Sequence, residues 1–153
     1  MRRFVRGGLL VVALATTVSA LMLAGPLHAS TPAGRYMVSN GTVYDTKTGL
    51  TWQQAGPSST MVYSAAKTYC SGLSLAGTGW RVPTIKELLT LVDESIASGP
   101  LIDTTAFPGA QATWYWSSTA VISTTTTEYL VAFQNGSANG GPLTNAILVR
   151  CVR

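Results

Sequence analysis

Between Gly79 and Leu89 the chain reads Gly-Trp-Arg-Val-Pro-Thr-Ile-Lys-Glu-Leu-Leu. This run specifies how a helix begins. Thr84 is a strong N-cap, since its hydroxyl can accept from a backbone N–H that the first turn leaves unpaired. Glu87, three residues on, can reach back to the Thr84 N–H and complete a capping box. Pro83 biases Val82 toward extended geometry. Ile85, Leu88, Leu89 and Val92 then recur at i, i+3, i+4 and i+7 as a single apolar stripe. An extended segment ending at Trp80-Arg81 and a short buried helix follow from these residues. Asp93 and Glu94 oppose the helix dipole and set its expected end.

The first 29 residues read as a leader. Arg2, Arg3 and Arg6 form a basic segment, and Leu9 to Leu23 is apolar. Gly25-Pro26 breaks that run, and Leu27-His28-Ala29 offers a cleavage site before Ser30. The apolar run of fifteen residues falls short of the roughly 20 that cross a bilayer. An uncleaved anchor is the competing reading. Cleavage would leave residues 30–153 as a single exported domain, periplasmic, secreted or on the cell surface, with no membrane attachment.

Losing the leader changes the charge. The full chain carries ten Lys and Arg against six Asp and Glu. Three of the basic residues lie in the leader, so seven remain against six, a net +1. That balance lacks the clustered basic face of a nucleic-acid-binding domain. His28, the single histidine, leaves too. Imidazole-based acid–base chemistry, Ser-His-Asp and Cys-His arrangements and His-containing zinc sites are thereby excluded from the mature domain.

The two cysteines, Cys70 and Cys151, read as one disulfide in an exported chain. A reactive thiol is the alternative, with Arg150 and Arg153 as the nearby cations. Along the domain, Ser39-Asn40-Gly41 between Arg35–Val38 and Thr42–Tyr44 is a hairpin signal. Thr46–Gly49 is a second turn before Leu50-Thr51-Trp52. Ser59 or Thr60 is the expected cap of a first helix running to about Ser71, with Val62, Ala65, Ala66, Tyr69 and Leu73 on one side and Gly72 after its end. Residues 95–113 read as loop. Trp114–Thr119, Tyr129–Phe133 and Ile147–Val152 read as strands, Asn135-Gly136 as a turn and Ala138–Pro142 as a longer loop. On the last strand Arg150 falls on the face opposite Cys151. The expected class is α+β: hairpins, two short helices and a mostly antiparallel sheet.

Several segments carry a resemblance. Asp45-Thr46-Lys47-Thr48-Gly49-Leu50-Thr51-Trp52 opens the set, followed by Ala65-Ala66, Tyr69-Cys70, Leu73 and Leu75-Ala76-Gly77. The Gly79–Leu89 run, Tyr115-Trp116-Ser117-Ser118-Thr119, Phe133-Gln134-Asn135-Gly136 and Val149-Arg150-Cys151-Val152-Arg153 complete it. In this order they resemble the C-terminal domain of Lcl, a bacterial collagen-like adhesin, over about residues 35–153. Val82 stands where a leucine is usual. The resemblance implies a fold related to C-type lectin-like and formylglycine-generating-enzyme-like domains, in which a bond from the first helix to the last strand closes the domain. It also implies surface attachment, with sulfated polysaccharide as ligand. The small net charge argues against that ligand, because polyanion binding wants a Lys/Arg cluster. The lectin-like calcium triplets Glu-Pro-Asn and Gln-Pro-Asp are absent, as is the collagen-like stalk.

Candidate chemistry is sparse. The carboxylates after the leader are Asp45, Glu87, Asp93, Glu94, Asp103 and Glu128, and glycoside hydrolysis would need two of them facing each other. Glu87 is better explained as a cap and Asp45 as a turn residue. No metal-ligand spacing occurs, and no cofactor is expected. Arg81 is expected to be partly buried and paired with Glu87 or Asp93, an anion contact being the alternative. Trp52, Trp80 and Trp116 are expected in the core. Trp114 begins a strand after a polar loop. Together with Thr125 in the Thr124–Thr127 run and Asn139, it is the expected ligand contact: one stacking face and neutral hydrogen bonds. The expected function is an exported, non-catalytic binding or adhesion module for a polysaccharide or surface protein. A carboxylate-based glycan-acting enzyme and a structural component of the envelope are the alternatives.

Overall fold

A computed structural model describes residues 34–153 of the chain; the leader reading lies outside the described residues. Local sequence sets the first sheet. Asn40 and Gly41 both take positive φ, 50° and 75°, as a two-residue hairpin turn requires. They join β1 (Tyr36–Ser39) to β2 (Thr42–Asp45), and the Thr46–Gly49 turn returns the chain into β3 (Thr51–Gln53). The antiparallel order is β1-β2-β3.

The first helix, α1 (Tyr63–Ser71), starts later than Ser59 or Thr60 would set it, with Val62 at the N-cap and no side-chain cap bond. Met61 is the reason. Its N–H and C=O both bond to Ile147, which holds the approach to the helix extended. Gly72 is the C-cap itself, in right-handed geometry with φ −83°, rather than the residue beyond it. Tyr63, Ala66 and Cys70 face inward, whereas Ala65 is exposed.

The capping box forms as read. Thr84 Oγ1 accepts from Glu87 N at 3.3 Å, and the Glu87 carboxylate accepts from Thr84 N at 2.7 Å. The helix it starts, α2 (Ile85–Leu89), is short. It ends before Asp93 because the chain tightens: Leu91 N bonds Leu88 O and Val92 N bonds Leu89 O. Such i→i−3 turns break the 3.6-residue period. Leu91 therefore enters the core and Leu89 is left exposed, against the expected stripe.

The second sheet is β4 (Trp114–Ala120), β5 (Thr127–Ala132) and β6 (Ala138–Pro142), antiparallel in that order. β6 corrects the loop expected at Ala138–Pro142. Its glycines are strand glycines that permit close approach: a Cβ at Gly141 would lie 2.5 Å from Leu130 Cδ1. Ile147–Val152 is not a regular strand either. It makes isolated bridges, Met61 to Ile147, Leu148 in parallel to Tyr115, and Val152 to both Trp52 and Arg81. This segment ties the two sheets together, and Cys70 and Cys151 are bonded across it.

One core cluster holds Val43, Trp52, Leu88, Leu91, Ile102, Phe107, Tyr115 and Phe133. The second surrounds the disulfide, with Tyr63, Ala66, Trp80, Trp116, Leu130 and Val149. Trp52, Trp80 and Trp116 are buried as expected. The segment 95–113 lacks regular elements, yet it supplies Ile102 and Phe107 to the core. Asp103 Oδ1 orders it by accepting from Thr105 N and Ala106 N.

Candidate functional site

The outer face of α1 forms an open groove of about 520 Å³, lined by Met61, Ser64, Ala65, Thr68 and Tyr69. The inward spacing of Tyr63, Ala66 and Cys70 turns Ser64, Ala65 and Thr68 outward. Met61 is fixed from three sides, since its carbonyl also accepts from Trp116 Nε1 at 2.8 Å. Tyr69 is half-buried, and its hydroxyl accepts from Gln53 Nε2 at 2.6 Å. The lining is uncharged: a thioether, an aromatic ring and two hydroxyls. Such a surface offers apolar contact and neutral hydrogen bonds. The outward Ser64/Ala65/Thr68 spacing was the one signal for it in the sequence. The expected grouping of Val62, Ala65, Ala66, Tyr69 and Leu73 on one side hides it, because Ala65 lies outward of Ala66.

The structure does not bring Trp114, Thr125 and Asn139 together. Trp114 opens β4 and is partly buried against the disulfide cluster. Thr125 lies in the connection at the far end of β4, about 20 Å away at ~3.4 Å per residue. Asn139 lies on β6 across from Leu130, and its Oδ1 accepts from Gly140 N at 2.8 Å.

The charged residues are mostly engaged in the fold. Arg81 makes a bidentate pair with Glu87, at 2.8 and 2.6 Å. It is exposed rather than partly buried as expected, and Glu87 rather than Asp93 is the carboxylate it pairs with. Hydrogen bonds from Arg81 lead in holding the Glu87 carboxyl below its ordinary range, against the effect of burial. Burial pushes the Asp45 carboxyl upward, but hydrogen bonds from Arg35, Lys47 N and Thr48 outweigh it and hold the group low. Arg35 also donates to Thr90 O at 2.7 Å, which ties β1 to the end of α2.

Arg150 is the buried arginine, 1% exposed. Its Nη1 donates to the Gln53 and Gln54 carbonyls, and its guanidinium stacks 5.0 Å from the Phe107 ring centroid. Burial lowers its pKa. Parity sets Arg150 opposite Cys151, and both faces are interior: Val149 and Cys151 lie in the disulfide cluster, while Arg150 lies against Phe107 of the other.

Glu128 on β5 differs from the other carboxylates. Its Oε2 is buried without a hydrogen-bond partner. Burial pushes its carboxyl upward, and Lys67 only partly offsets this. Lys67 lies over the Tyr63 ring at 5.0 Å. Among the described residues no three His, Cys, Asp or Glu side chains converge as metal ligands would. No described helix is long and apolar enough to cross a membrane.

No curated protein matches the chain. The sequence model of one family does, the Lcl C-terminal domain, over residues 41–153. That span runs from the first hairpin turn to the last residue and takes in both helices, every strand but β1, and the disulfide. The chain belongs to the Lcl C-terminal domain family.

Proposed function

We propose that the protein is an exported, non-catalytic binding module whose ligand is a neutral glycan, held in the groove on α1. The observation that carries this reading is the groove's chemistry. Tyr69 and Met61 supply apolar faces for the C–H side of a sugar ring, and Ser64 and Thr68 supply hydroxyls without charge. The disulfide and the family's adhesin namesake support export. A bond from the first helix to the C-terminal segment supports a C-type lectin-like arrangement within the α+β fold. The small mature charge favours neutral over sulfated ligands.

The test is a glycan array carrying neutral and sulfated ligands, followed by a Thr68→Arg variant. Position 68 is on the exposed face, so the variant should melt like the parent. Affinity for the array-positive glycan should fall at least about tenfold, the ~1.4 kcal/mol of a lost contact. Unchanged affinity in a folded variant would remove the groove from consideration. A signal confined to sulfated ligands would overturn the neutral assignment.

Glu128 supports a second reading, glycan hydrolysis. A carboxyl raised by burial is the state a general acid needs. It supplies only half of that chemistry. Release of reducing ends from the bound glycan, lost in Glu128→Gln, would favour this reading.

A further inference from the structure

We infer that the free edge of β1 is a docking surface for a second copy of this chain, joined antiparallel about a two-fold axis at Met37.

The inference begins with the edges of the two sheets. Beyond β3 the C-terminal segment completes the ladder, with Thr51 and Arg153 exchanging N–H···O bonds and Gln53 N donating to Cys151 O. One edge of β4 is taken by Leu148, whose carbonyl accepts from Trp116 N. The outer edge of β6 is blunted, because Asn139 Oδ1 occupies Gly140 N and the strand ends in Pro142. β1 is short, which limits what it can pair with, but among the described residues it carries no proline, lysine, bulge or covering segment.

The register decides what that edge presents. In a two-residue hairpin the residues flanking the turn form a hydrogen-bonded pair, and bonded and non-bonded pairs then alternate. Ser39–Thr42 and Met37–Tyr44 are the bonded pairs. The N–H and C=O of Tyr36 and Val38 therefore point away from β2. No other described segment bonds to them.

These groups are self-complementary. Placing a second β1 antiparallel about Met37 sets Tyr36 against Val38 of the second copy, and Val38 against its Tyr36. Every outward donor then meets an outward acceptor, and the sheet continues through both copies. Met37 faces its own counterpart in a non-bonded pair, where side chains approach most closely. Met37 and Tyr44, 60% and 43% exposed, share a face through their pairing. The dimer would make one apolar strip of these two residues and their mates. The nearest cation, Arg35, is engaged by Asp45 and Thr90, so no unpaired charge opposes the approach. A four-residue edge buries less than the ~800 Å² per partner of a standard stable interface. The association is therefore one that dissociates on dilution.

Sedimentation equilibrium of the protein from micromolar to millimolar concentration should show monomer and dimer in exchange. Met37→Lys sets two like charges across the axis and should weaken the dimer about tenfold or more. Val38→Pro removes an outward N–H and should do the same. Met37→Cys should cross-link between chains on mild oxidation, whereas Ser39→Cys, off the axis, should not. Met37 is exposed, so its variants report even if Val38→Pro unfolds. A chain that stays monomeric at millimolar concentration would overturn the inference. So would a dimer indifferent to Met37→Lys, or equal cross-linking at positions 37 and 39.

Discussion

Asp45 and Glu128 carry the same functional group into opposite electrostatic settings. Both are pushed upward by burial, but only Asp45 has donors to reverse the shift, with Arg35 Nη2 at 2.8 Å and Lys47 N at 3.0 Å. The lowered Asp45 pKa contributes stability above the ordinary carboxyl range, and that contribution is lost as pH falls through its folded value. Glu128 has the reverse sign. Folding favours its protonated form, a contribution fully present below the ordinary value of 4.5 and lost as pH rises through the raised folded value. Glu128→Gln should therefore match the parent near pH 4 and exceed it in stability at pH 7, with the gap opening between. Urea melts across that range check this, and a constant gap would mean that Glu128 does not titrate with folding. Neither Arg35 as the partner of Asp45 nor the orphaned oxygen of Glu128 was legible in sequence, because each depends on which strand lies alongside.

At the scale of elements, α2 and β6 show two ways in which short segments are specified. α2 has five residues, too few to be stable alone, so its cap matters. Thr84→Ala should cost about 1 kcal/mol, read as a lower urea midpoint with an unchanged slope. If the variant melts like the parent, the Thr84 bond contributes nothing net. β6 depends on absent side chains instead. Gly141→Ala places a methyl against Leu130 and should destabilise by about 1–3 kcal/mol through overpacking. Gly141 does not need a positive φ, so backbone strain is not the cause, and a chemical melt compared with Leu130→Val/Gly141→Ala should recover part of the loss. The capping box could be read from four consecutive residues. β6 could not, because its glycines signal a loop locally and a close-packed strand only once Leu130 is opposite.

For the whole molecule, the C-terminal segment is the joint between the sheets, and the disulfide fixes it to α1. The 81-residue separation of Cys70 and Cys151 corresponds to ~4.5 kcal/mol in the chain-entropy model. Cys151→Ala should lose about 2–5 kcal/mol. Thiol labelling of the unreduced, denatured parent should find no free thiol, and two per chain would refute the bond. Arg150 belongs to this joint as well. It reaches from the last segment to the carbonyls of Gln53 and Gln54 across 97 and 96 positions, and removing it would leave buried acceptors unpaired.

The sequence by itself determined whatever rests on neighbouring residues or on a single choice of partner. The Asn40-Gly41 turn needs two adjacent residues that tolerate positive φ. The Thr84–Glu87 box needs two side chains one turn apart. The disulfide had one available pairing, and Trp52, Trp80 and Trp116 stand in motifs beside apolar neighbours. Tertiary structure alone decided the burial of Arg150, the strand at Ala138–Pro142, the separation of Trp114 from Thr125 and the groove on α1. In each of these the deciding contact joins residues far apart in the chain. Whether a polar group, a glycine or a helix face is covered is set by what folding brings against it, a property its neighbours in sequence do not carry.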